Sequence, residues 1–130
     1  MSLKEIESKL KRAYSLPIKE QRKYHEQIWN LEKEKFYSLV PDWDDEAAMR
    51  YLQNFRDKLT QIFKGEKVGL LWAVENAPEL DRKYQDCMID IDEAIKIRSR
   101  DALFNALKNY EAVLKDIYLT YRENQKIKEG

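Results

Sequence analysis

The sequence predicts an all-α fold: an antiparallel bundle of about four long helices, with a short N-terminal helix and a short buried helix near residues 67–76. Three observations predict it. Charged residues make up 37% of the chain beside 43% hydrophobic residues, whereas globular domains average about 25% charged. That mixture suits long helices with one solvated face and one buried face. The apolar residues recur at spacings of three and four, the helical period. Only three glycines and three prolines punctuate 130 residues, too few for the tight turns a sheet-rich domain needs.

Residues Leu3 to Tyr14 form the first amphipathic segment, with Leu3, Ile6, Leu10 and Ala13 or Tyr14 on one face. Proline is tolerated in the first turn of a helix, so Pro17 starts the next segment, predicted to run unbroken to Leu39. Its inward stripe is read as Tyr24, Ile28, Leu31 and Phe36 or Tyr37, with Trp29 beside it, and a charged outer face that includes Glu32. After a break at residues 40–45, a third segment from about Asp44 to Lys64 carries Ala48, Leu52, Phe55, Leu59, Ile62 and Phe63 at alternating spacings of four and three. Gly65 suits a left-handed C-terminal cap.

Residues 68–74 are apolar apart from Gly69 and could be a buried strand. No other segment could pair with it, so it is read as a short, deeply buried helix ending near Asn76. Asn76 as cap and Pro78 in the first turn open the next helix, running to about Arg98 with Leu80, Tyr84, Cys87, Met88, Ile91, Ala94 and Ile95 inward. The last helix starts at Asp101 and buries Leu103, Ala106, Leu107, Tyr110, Val113, Leu114, Ile117, Tyr118 and Tyr121. A shift of 55 residues lays residues 47–63 on 102–118, matching Leu52 with Leu107, Asn54 with Asn109, Leu59 with Leu114 and Ile62 with Ile117. Shared helical period accounts for most of these matches; a duplicated helical unit is the alternative.

The chain reads as a single domain, with residues 1–3 and 129–130 taken as remnants of an expression vector and set aside. A lone cysteine, Cys87, rules out an intrachain disulfide and suits a reducing compartment, so a cytoplasmic location is expected. No run approaches the roughly 20 apolar residues of a membrane span.

No catalytic, cofactor-binding or metal-binding set is recognised, and no enzyme activity is expected. Asp86, Asp90 and Glu93 share one helix face, as oxygen ligands of a divalent cation would. Bundle carboxylate sites, however, draw ligands from several helices and include a Glu-x-x-His pair; the one histidine, His25, is preceded at that spacing by Arg22. His25 is expected at the surface or boundary. Cys87 lies on an apolar stripe and is expected to be an inert thiol. Gly65 and Gly69 lack the Lys-Ser/Thr continuation of a phosphate-binding loop.

Charge is uneven along the chain: residues 1–40 carry a net +3 and residues 41–98 a net −4. Three functions are weighed. The leading one is a protein–protein interaction or self-association module, in which segregated charge favours complementary docking. Trp29 and Trp43, flanking the Pro41 corner, are its candidate interface residues, while Trp72 is assigned to the core. The alternative is a nucleic-acid accessory protein using Lys9, Lys11, Arg12, Lys19, Arg22 and Lys23 on phosphates, against which a near-neutral isoelectric point of about 6.6 speaks. The third is an enzyme or ligand binder with a site between helices, which would need His25 or the Asp86/Asp90/Glu93 face to point inward beside other polar groups.

Overall fold

The computed structural model describes residues 2–39, 45–63 and 66–129, with backbone alone at 66–68 and 129. The described residues form seven helices and no strand, so the chain is an all-α bundle. They are α1 (Leu3–Tyr14), α2 (Ile18–Lys23), α3 (His25–Leu39), α4 (Asp45–Ile62), α5 (Glu66–Asn76), α6 (Pro78–Ile97) and α7 (Arg100–Glu129). At 1.5 Å per residue, α7 is about 45 Å long. Ser2 caps α1 by accepting a hydrogen bond from the Glu5 N–H at 3.2 Å.

The central layer comes from contacts that fix direction. Asp45 and Arg100, at the first turns of α4 and α7, pair at 2.9 Å, and Phe63, just past the end of α4, meets Tyr118 further along α7 at 6.0 Å. These two helices therefore run parallel. α3 runs against both: Phe36 stacks on Tyr51 and Phe104 near the starts of α4 and α7, while His25 meets Phe63 and Glu111 further along them. α6 folds back as α7 through Arg98, whose left-handed φ of 56° lets the Ser99 N–H reach the Ala94 carbonyl and the Arg98 N–H reach that of Ile95. α1 lies on α3 and α4, and α5 on α6 and α7. Gly69 lets α5 come close to α7, since a Cβ there would meet Ile117 Cγ2 at 3.3 Å.

Four expectations are corrected. The Pro17–Leu39 segment is two helices: the Tyr24 N–H is shared between the Glu20 and Gln21 carbonyls, and the Gln21 amide ties the chain to the Tyr14 and Leu16 carbonyls of the preceding turn. Its inward stripe is rotated, with His25, Ile28, Trp29, Glu32 and Phe36 buried while Tyr24 and Tyr37 are exposed. α5 is not deeply buried, because Leu71 and Val74 are 71% and 56% exposed. Asn76 donates back to the Trp72 carbonyl instead of capping α6, whose N-cap is Ala77. The α4, α6 and α7 stripes pack as their spacing predicts. Gly65 as a cap lies outside the described residues.

Candidate functional site

Charged groups lie inside this bundle. Glu32 is only 2% exposed. It sits one turn from Ile28 and one from Phe36, so the helical period itself carries it inward. Tyr14 of α1 donates to its Oε1 at 2.8 Å and Tyr51 of α4 donates to its Oε2. Lys58 Nζ approaches Oε1 at 3.9 Å and lies over the Tyr14 ring at 4.5 Å. Burial, then the facing carboxylate, push both tyrosine hydroxyls far above the ordinary phenol range, so they stay protonated and donate. Both Glu32 oxygens are thus engaged, and the acid fastens α1 across α3 and α4.

A second buried acid, Glu111 of α7, is 3% exposed. Lys108 Nζ donates to its Oε1 at 3.4 Å, and His25 Nδ1 stands 3.6 Å from the same oxygen, beyond hydrogen-bond reach. Within the described residues, Nδ1 of His25 and Oε2 of Glu111 are buried without a hydrogen-bond partner. Burial raises the Glu111 carboxyl above the ordinary 4.5, against the opposing pull of Lys108 and His25. The native state then holds this proton to higher pH than the unfolded chain does. Stability linked to it is full below 4.5 and is lost as pH rises through the folded value. In thermal melts from about pH 4 to about pH 8, Glu111→Gln should gain on the wild type steadily as pH rises; a difference flat with pH contradicts this account.

His25, expected near the surface, is buried at 9% exposure and meets the Phe63 ring at 5.7 Å. It faces Glu111 of α7, as an inter-helix site would require, and the Phe63 ring packs against it as well. Trp29 is corrected as an interface residue: 4% exposed, it packs on Phe55 at 5.2 Å and Phe104 at 4.9 Å, with Lys108 Nζ over its ring at 4.7 Å. Trp43 lies outside the described residues. Trp72 is half-buried against Tyr121.

The proposed phosphate contacts divide. Lys9, Lys11, Arg12, Lys19 and Lys23 are exposed, with Lys23 paired to Glu20 at 3.3 Å. Arg22 turns inward instead, its guanidinium 4.7 Å from the Tyr118 ring and Nη1 donating to that hydroxyl at 3.3 Å.

Asp86, Asp90 and Glu93 are exposed on α6, and no group of three or more His, Cys, Asp or Glu able to hold a metal is found among the described residues. They edge a groove between α6 and α7, made of two adjoining hollows of about 240 and 340 Å³ that share Asp90 and Asn109. Its floor is small and apolar: Ala94, Ala106, Cys87 and Val113. Burial, then Asp90 and Asp86, push the Cys87 thiol up. Asp116 joins the acids at the edge, and Lys83 opposes them. No described helix is long and apolar enough to cross a membrane. The sequence matches no family model, no curated protein and no solved structure.

Proposed function

We propose that this protein is a non-enzymatic interaction module, a rigid helical bundle that docks a protein partner. One observation carries the reading: large apolar side chains stand in solvent on α5 and α6 although the core itself is apolar. Two glutamates are buried and bound to their neighbours, while Leu71 and Val74 on α5 and Ile89 and Ile97 on α6 stand 56–71% exposed. Singly exposed apolar residues are ordinary. Here Leu71 and Val74 lie one turn apart on a helix that is apolar on most of its sides, and Ile97 borders the α6/α7 groove. A helix apolar all round is normally covered, and exposed apolar surface is where partners bind. The interior acids complement this reading, because a polar cluster with both Glu32 oxygens occupied acts as a fastener.

The second reading, nucleic-acid binding, draws on the exposed Lys9, Lys11, Arg12 and Lys19. An affinity pull-down from lysate, with and without nuclease, separates the two. The interaction module predicts a specific protein that survives nuclease and is lost when Leu71 and Val74 are changed together to Asp. Recovery that vanishes with nuclease replaces it with the basic-patch reading, for which binding should weaken steeply with salt.

A further inference from the structure

The similarity between α4 and α7 extends beyond those two helices. A shift of 55 residues carries α3 into α6 as well, matching buried Phe36 with Ile91 and Glu32 with Cys87. It also repeats a contact: Trp29 on Phe55 at 5.2 Å becomes Tyr84 on Tyr110 at 6.1 Å. The α3–α4 and α6–α7 pairs thus share a register at these positions, although α6 and α7 pack more closely than α3 and α4 do and buried Ile28 falls on exposed Lys83.

The two pairs differ in what covers them. In the first, α1 is seated with Ile6 and Leu10 buried, and its Tyr14 rests against Glu32 and Lys58 beside Tyr51. The same shift carries Glu32, Tyr51 and Lys58 onto Cys87, Ala106 and Val113. All three line the α6/α7 groove. The helix that precedes the second hairpin, α5, packs instead on Ile117 and Tyr121, one and two turns past Val113. The groove is therefore the counterpart of a seat that a helix fills in the other pair.

We propose that the α6/α7 groove docks an amphipathic helix of a partner protein, seated as α1 is on α3 and α4, with apolar residues inward and Lys or Arg on its flanks. The proposal rests on the interaction-module reading and gives it a further contact and a ligand, apart from Leu71 and Val74, which do not line the groove. The seat determines that the occupant is a helix. Charge determines its flanks, since Asp86, Asp90, Glu93 and Asp116 face it against Lys83 alone. Cys87 and Ala106 in place of Glu32 and Tyr51 remove the polar fastener, so small apolar side chains fit the floor where Tyr14 fits the first seat.

The test uses the full chain and two synthetic helical peptides of about four turns, identical on an Ala/Leu face and carrying either Lys or Glu on the flanks. Fluorescence polarisation should show the lysine peptide binding at least about tenfold more tightly than its glutamate twin, with the gap narrowing in high salt. Amide shifts should move along α6 and α7. Asp90→Lys with Glu93→Lys, both exposed and compatible with folding, should reverse the preference. Equal binding of the two peptides, no binding at millimolar concentration, or shifts confined to other helices would overturn the proposal. So would a concentration-dependent dimer that the double lysine variant dissolves, because a second copy would then fill the groove. If a partner recovered in the pull-down still binds the double lysine variant at full strength, the groove proposal fails while the interaction module stands.

Discussion

Changing Tyr14 and Tyr51 together to Phe should cost about 3–5 kcal/mol of folding stability, the range for leaving a buried charge without its partners. Each hydroxyl donates to one oxygen of a carboxylate that is 2% exposed. A hydrogen bond to a charged group contributes about 1.5–3 kcal/mol, and the remaining partner, Lys58, stands 3.9 Å away on a half-exposed side chain. Denaturant titration at neutral pH checks this, with the slope unchanged if the native fold persists. Because Tyr14 belongs to α1, the loss should be accompanied by faster hydrogen exchange in α1 than in α7. A double variant within about 1 kcal/mol of the wild type would mean that Glu32 does not depend on these donors.

Trp29→Ala is expected to lose a similar amount, about 3–5 kcal/mol, typical for truncating a buried large aromatic residue. The indole joins three helices, touching Phe55 of α4 and Phe104 of α7 from its place on α3. Removing it also withdraws the ring beneath Lys108, the cation that pairs with Glu111. Thermal and denaturant melts measure the loss. An interface tryptophan would behave in the opposite way, leaving stability nearly unchanged and weakening association.

The sequence made the fold class and most of the core legible. The α4 and α6 faces are apolar stripes, that of α7 is interrupted by Glu111, and their period identifies Leu52, Leu59, Ile91, Leu107 and Leu114 as interior. The α3 stripe misled for a physical reason. A glutamate occupies the middle of its inward face, so an apolar count rotates the face toward Tyr24 and Leu31, and Trp29 is pushed toward the surface. A signal was present, since His25, Ile28 or Trp29, Glu32 and Phe36 follow helical spacing. Polar residues at core positions in that pattern need partners, and those partners come from α1, α4 and α7, far apart along the chain. Glu111 is concealed in the same way between Leu107 and Leu114. The α6/α7 groove was legible only in part: Asp86, Asp90 and Glu93 stand out as an acidic face, but the opposing small residues lie on another helix. The relation between α4 and α7 was visible as a repeated period; its extension to α3 and α6 rests on two buried pairs, Glu32 with Cys87 and Phe36 with Ile91, and on the repeated ring contact.

On the proposed function, the Glu32 cluster fastens α1 across α3 and α4 while recognition occurs on the outside of the bundle. The most direct test adds Glu32→Leu to the Tyr14→Phe, Tyr51→Phe double variant and measures stability and lysine-peptide affinity in one preparation. Replacing a whole buried polar group by apolar residues of similar size is close to neutral. The account predicts stability restored to within about 1–2 kcal/mol of the wild type and an unchanged affinity. A triple variant that is folded and stable yet no longer binds would contradict it, and would place the interior acid within the functional site.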